Sequence, residues 1–220
     1  MPDSGDHSDV LAEAMAAHGF RCARNQAVQL DHYRRELWEW NEKINLTRHL
    51  TIEKFIDRDL QDSLMLERFI DQETRVLDVG AGGGVPGMIL SILRPDLALT
   101  LSESVAKRAK VLQSIADAVG SNARIVHARA ENILVDESFD ALTIRAVARL
   151  HKILSWFGPH WRSIGQILLV KGPAWVEERL ESREAGLLRD LELRILLRYP
   201  CPPVASESGM ESLILRVSKR

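Results

Sequence analysis

No apolar run in this 220-residue chain is long enough to cross a bilayer, so no membrane partner is expected. The opening residues, MPDSGDHSD, are acidic and lack the apolar stretch of a signal peptide, and the protein is read as cytoplasmic. There are only two cysteines, Cys22 and Cys201, far apart and without a C-x-x-C pair. Two free thiols and no metal site are expected. A net charge of −2 argues against a surface generally adapted to polyanions, but it leaves room for a local basic face. No internal repeat or low-complexity linker divides the chain. Charge of one sign is missing twice: residues 1–20 hold four acids and no Lys or Arg, and residues 141–176 hold no Asp or Glu.

What is present centres on VLDVGAGGGVPG, residues 76–87. An apolar run ends in an acid, breaks into glycines and resumes after Pro86, which predicts a buried strand, a tight loop and a helix start. Glycines let the backbone take φ > 0 and let a ligand lie against bare main chain. Such a loop sits where open α/β sheets bind nucleotides. Gly82, Gly84 and Gly87 fit the dinucleotide pattern G-x-G-x-x-G, which alone is a weak signal. Asp78 would repel a pyrophosphate and suits the sulfonium and ammonium of S-adenosylmethionine. Glu103, after the next apolar run, is placed to accept both ribose hydroxyls. The alternative for both acids is a solvated strand end.

Before this loop the pattern is helical. Ser8 or Asp9 is a candidate cap for a helix ending at Gly19, Leu30, Tyr33, Leu37 and Trp40 recur at helical spacing over 25–42, and Thr51 caps a stretch reaching Phe69. Residues 1–72 are therefore read as an N-terminal helical extension and 73–220 as a Rossmann-like core. From Arg75 strands are predicted at 75–79, 97–101, 124–127, 140–144 and 166–170, with helices at 87–93, 104–119, 147–157 and 174–189. Pro95 and Gly120 mark helix ends. Two strand-like runs, 192–199 and 212–217, close the chain as an antiparallel addition to a mostly parallel sheet, as in class I S-adenosylmethionine-dependent methyltransferases.

The acid-free segment carries Arg145, Arg149, Lys152, Arg162 and Lys171 with Trp156, Phe157, Trp161 and Trp175. Basic residues and aromatics beside a cofactor loop suit nucleic acid. Arg149, Lys152 and Lys171 are the candidate phosphate contacts. Trp156 and Trp161 are expected in the core, whereas Arg145, at a strand end, borders the ligand crevice.

Together with WNEKINLT (40–47), DSL (62–64), ES-x-x-KR (103–108), RAE (129–131), RAVA (145–148) and LLVKGP (168–173), the glycine loop resembles the bacterial 16S ribosomal RNA guanine-N7 methyltransferases, also called the glucose-inhibited division protein B family. The likeness spans about residues 28–175. It implies S-adenosylmethionine as cofactor and a guanine in a decoding-region loop of 16S rRNA, in the small ribosomal subunit, as substrate. By position it puts cofactor contacts at Gly80, Val85, Ala130, Glu131 and Arg145, beside Asp78, Gly82, Gly84 and Glu103 of the loop reading. Asn45, in the NLT element, is a candidate RNA contact or part of a clasp between extension and core. The sequence departs from the family pattern at Asp59, where His is usual, and at Val85, Ala106 and Ile144. Guanine N7 carries a free lone pair, so no general base is expected, and Arg145 is assigned to positioning. A monomer is expected. A class I methyltransferase of another substrate, an RNA-binding module and a nicotinamide dehydrogenase remain alternatives.

Overall fold

The computed structural model describes residues 7–200 and 211–220; Cys201 and the turn-rich stretch around it lie outside them. The described strands are β1 (Arg75–Val79), β2 (Ala98–Ser102), β3 (Arg124–Val126), β4 (Phe139–Arg145), β5 (Ile164–Lys171), β6 (Leu191–Pro200) and β7 (Glu211–Lys219). They form one sheet in the order β3-β2-β1-β4-β5-β7-β6. Strands β1 to β5 run parallel, and β7 runs antiparallel to both its neighbours, β5 and β6. β1 is covered on both faces, which explains its unbroken apolar run. The chain leaves β1 toward β2 and β3, then returns to β4 on the other side. This reversal opens a crevice at the carboxyl ends of β1 and β4, the usual ligand position in open α/β sheets. Val79 pairs with Ser102 on one side and Ile144 on the other, so Gly80, Glu103 and Arg145 emerge level at that end.

The helices are α1 (His7–Ala17), α2 (Arg24–Asn41), α3 (Ile52–Lys54), α4 (Gln61–Glu67), α5 (Gly87–Leu93), α6 (Ala106–Val119), α7 (Ala130–Ile133), α8 (Leu150–Phe157) and α9 (Trp175–Glu184), with a π-helical segment, Phe55–Leu60, joining α3 to α4. None is long and apolar enough to cross a membrane. Leu11, Leu30, Leu37, Phe55 and Leu60 of the N-terminal helices share one apolar core with Met88, Ile89, Leu101 and Leu112. Burying each such side chain contributes about 1.5–3 kcal/mol. The extension therefore completes one face of the sheet. It also caps its neighbours: the Gln26 amide donates to the carbonyls of Ile92 and Leu93 at the end of α5 (3.1 and 3.0 Å), and Gln29 donates to Val119 O at the end of α6 (3.3 Å). Leu154, Phe157, Trp161 and Trp175 build the core on the other face.

Several sequence-based bounds shift. α1 starts ahead of both candidate caps, with Asp9 in its first turn. Thr51 caps as expected, its hydroxyl accepting from Lys54 N at 3.2 Å. The helix predicted over 147–157 begins only at Leu150, because Ala146 takes φ 54° and turns the preceding residues into a loop. α9 ends at Glu184, not at Arg189: Gly186 adopts φ 71° and Leu187 N–H returns to Ser182 O at 3.0 Å, a helix-stopping pattern. The four-residue α7 has too few residues to leave a periodic signal.

Candidate active site

The glycine loop leaves β1 with Gly80, Gly82 and Gly84 at φ 65°, 56° and 102°, a region in which side chains are strained. Two buried acids fasten it. Asp78 Oδ2 accepts from Gly87 N–H at 3.0 Å, and Oδ1 accepts from the Thr143 hydroxyl at 2.7 Å. Gly87 has no room for more: a Cβ there would lie 2.6 Å from Asp78 Oδ2. Burial pushes the Asp78 carboxyl up to about 7. Read from the sequence as a partner for a cationic ligand, Asp78 has both oxygens bonded beneath the loop, Oδ2 to the start of α5 and Oδ1 to β4. Glu103 works from the other side, Oε1 accepting from Val105 N–H (2.7 Å) and Oε2 from Gly82 N–H (3.1 Å). The N-terminal segment closes over the outside of the loop. The Tyr33 hydroxyl donates to Gly83 O at 2.9 Å, and Leu46 packs against Gly83.

A crevice of about 180 Å³ opens at the carboxyl ends of β1 and β2, lined by Gly80, Ser102, Ala130, Glu131, Val147 and Trp156 among others. Of the nine cofactor candidates, Gly80, Ala130 and Glu131 line it. Gly82 and Glu103 are bonded to each other. Gly84 faces inward onto Met88 and Leu112, and Val85 packs against the core. Trp156, expected in the core, is half-buried at this crevice, whereas Trp161 is core.

A second cleft, of about 490 Å³, shares Val147 with the first and is lined by His49, Asp62, Arg145 and Lys171, among others. Arg145 crosses to the N-terminal segment: Nη1 lies 2.9 Å from Asp59 Oδ1, and Nε donates to Asp62 Oδ2 at 2.8 Å. Burial opposes its charge, but Asp59 and Asp62 outweigh that and raise its pKa above the usual arginine range. Asp62 Oδ1 also accepts from the Tyr199 hydroxyl at 2.7 Å, and His49 Nδ1 lies 2.8 Å from Asp59 Oδ1. Burial, then the Asp62 charge, holds the Tyr199 hydroxyl above its ordinary range. The π-helical segment and the start of α4 bring Asp59 and Asp62 to one guanidinium. His49 and Tyr199 carried no sequence signal, since neither belongs to a motif.

The basic face is smaller than its sequence suggested. The acids missing from 141–176 arrive from α9. Arg149 forms a forked pair with Glu181 (2.6 and 3.1 Å). Lys171 Nζ donates to Glu178 (2.7 Å) and to Ala148 O (2.8 Å). Glu178 also accepts from Leu150 N–H at 2.8 Å and so caps α8. Lys171, read from the sequence as a phosphate contact, thus braces the 146–149 loop and has its charge already met by Glu178. Lys152 is exposed and has no ion pair among the described residues. The turn carrying Asn45 is held by Asn41, whose Oδ1 accepts from Leu46 and Thr47 N–H (2.7 and 2.9 Å). Asn45 itself is exposed, and its carbonyl accepts from Arg108 at 3.5 Å. No cluster of three or more metal-ligating side chains occurs among the described residues.

Comparison with known proteins gives a consistent result. The family profile described as GidB, rRNA small subunit methyltransferase G, matches residues 26–195. A ribosomal RNA small subunit methyltransferase G from Rhodopirellula baltica is 43% identical over 194 residues, covering 88% of this chain and 84% of its own. Its counterpart from Clostridium beijerinckii is 33% identical over 186 residues, covering 80% and 77%. Among solved structures, an O-methyltransferase from Bacillus cereus in complex with SAH superposes with a TM-score of 0.60 at 14% identity, covering 96% of this chain and 97% of that one. At that identity the likeness speaks for the fold alone.

Proposed function

The chain belongs to the rRNA small subunit methyltransferase G family, and from that premise we propose that it methylates guanine N7 in a decoding-region loop of 16S rRNA with S-adenosylmethionine as donor. The observation that carries this reading is the junction at Val147, where a nucleoside-sized crevice meets a cleft walled by Arg145.

The residues present fit the cofactor. Gly80 offers bare main chain, and a Cβ there would come within 3.1 Å of Val147. Glu103 keeps lone pairs for ribose hydroxyls beyond the two N–H groups it accepts. Ala130 N–H, in the first turn of α7, has no intrahelical acceptor and lies beside Glu131 to hold the adenine edge. S-adenosylmethionine, when bound, supplies an electrophilic methyl on a sulfonium. Guanine N7 meets such a methyl with its own lone pair, so the protein removes no proton, and its task is alignment. Arg145 has Nε and Nη1 tied to carboxylates, which leaves Nη2 to donate to guanine O6 while N7 stays free. N7 is hidden in the deep groove of A-form RNA, so the base must come from a loop or leave its stack. A ribosomal substrate favours a cytoplasmic enzyme, and a crevice and cleft both built from one chain favour a monomer.

The test is methyl transfer to small-subunit particles that lack their native modification, followed by borohydride reduction and aniline cleavage, which cut the chain at N7-methylguanosine. A single new cleavage in a decoding-region loop is expected. Transfer without cleavage would remove the N7 assignment, and transfer only to other RNA or to protein would remove the substrate.

A further inference from the structure

We propose that His49 is a positioning residue: through Asp59 it fixes Arg145 at the wall of the substrate cleft, which makes the segment between α2 and α3 part of the active site. The inference rests on the role given to Arg145 above.

Three observations carry it. First, His49 is itself held. Its N–H donates to Thr47 Oγ1 at 3.0 Å, and its carbonyl accepts from the Trp38 indole at 2.9 Å. The imidazole therefore approaches Asp59 from an anchored backbone.

Second, the contacts at Asp59 are lopsided. Oδ1 receives both His49 Nδ1 (2.8 Å) and Arg145 Nη1 (2.9 Å), whereas Oδ2 is buried with no partner. No other buried side-chain polar atom among the described residues is left in that state. One oxygen sits between two donors, so its position depends on both. Without the imidazole, the carboxylate is free to turn and offer its idle oxygen to Arg145. The guanidinium then moves with it.

Third, two buried acids converge on Arg145, and only one of them has a second donor from outside the N-terminal segment. Asp59 and Asp62 are 1% and 4% exposed and share one guanidinium. Excess buried charge is costly when a partner is removed. His49 meets that excess on the Asp59 side by turning Nδ1 onto Oδ1 at 2.8 Å. Tyr199 settles only the Asp62 side. His49 and Arg145 both line the cleft, so the relay ends where the base would sit.

The test compares His49→Ala with His49→Asn, whose amide nitrogen stands close to where the imidazole Nδ1 was. The single-turnover rate on small-subunit particles should fall about 10- to 100-fold in His49→Ala, the cost typical of a misplaced aligning group. Cofactor affinity by calorimetry should stay within about twofold. His49→Asn should recover most of the lost rate. A second readout needs no activity. The Arg145 Nε–H resonance, identified by its loss in Arg145→Lys, should exchange slowly with solvent in the wild type, faster in His49→Ala and slowly again in His49→Asn. An unchanged rate and unchanged exchange in His49→Ala would overturn the proposal. So would a loss in both variants that tracks a lowered melting temperature and is not restored by Asn. If the wild type methylates no small-subunit particle but the exchange pattern appears, the functional reading fails and the positioning of Arg145 stands.

Discussion

At Asp78 a carboxylate sits 1% exposed, and burial outweighs the hydrogen bonds from Thr143 and Gly87 in setting its proton affinity. The folded value, about 7, lies above the ordinary 3.8, so the folded chain binds this proton more tightly than the unfolded one. The associated stability is complete below about pH 4 and is lost as pH rises through about 7, a change on the order of 2–4 kcal/mol. Asp78→Asn should remove that slope, because an amide can accept from Gly87 N–H and donate to the Thr143 hydroxyl. Urea denaturation from pH 4 to 8 should show the variant gaining on the wild type as pH rises; parallel curves would mean that Asp78 does not titrate there. Glu103 is a second buried acid with a different task. Glu103→Gln should weaken S-adenosylmethionine binding by about 1.5–3 kcal/mol through lost charge-assisted bonds. Calorimetry giving wild-type affinity would take Glu103 out of the site. The sequence placed both acids correctly at strand ends. It could not say which way each carboxylate turned, because that depends on Thr143 and Gly87 in one case and on Val105 and Gly82 in the other.

Among elements, α5 packs closely onto β1 and β2 beside the site. A Cβ at Gly87 would lie 2.6 Å from both Asp78 Oδ2 and Leu101 Cγ. Gly87→Ala should cost about 1–3 kcal/mol by overpacking. Gly158 is the contrast: its φ and ψ are −48° and −47°, and nothing lies within 4 Å of a Cβ there. Gly158→Ala should be neutral or stabilise by up to about 1 kcal/mol through the unfolded chain. Thermal melts of the two variants check the pair, and equal effects would refute the close approach at Gly87. Strand and helix order was readable along the chain because periodicity and glycine placement are local. The π-helical segment Phe55–Leu60 was not, since apolar spacing there also fits an ordinary helix.

For the molecule as a whole, the distribution of charge was the least readable property. Residues 141–176 look basic in isolation, yet Glu178 and Glu181 fold back onto Lys171 and Arg149. Lys152 and Lys171 should therefore behave differently. Lys152→Gln should leave the melting temperature unchanged and reduce the slope of log affinity for RNA against log salt by just under one. Lys171→Gln breaks a pair whose side chains are 12% and 10% exposed and should cost about 3 kcal/mol of stability. An unchanged salt slope in Lys152→Gln would place the RNA on another face.

The sequence by itself determined the alternation of strand and helix, the glycine loop at the end of the first strand and the acids at the ends of β1 and β2. Each of these depends on residue type and on spacing over a few positions. The tertiary structure decided which charges are paired, which line a cleft and which polar groups hold Arg145. Asp62 is 83 residues from Arg145 and 137 from Tyr199, and the acids that neutralise Arg149 and Lys171 sit on a later helix. A charge acts through whatever the fold brings within a few ångströms, and sequence spacing carries no record of that distance.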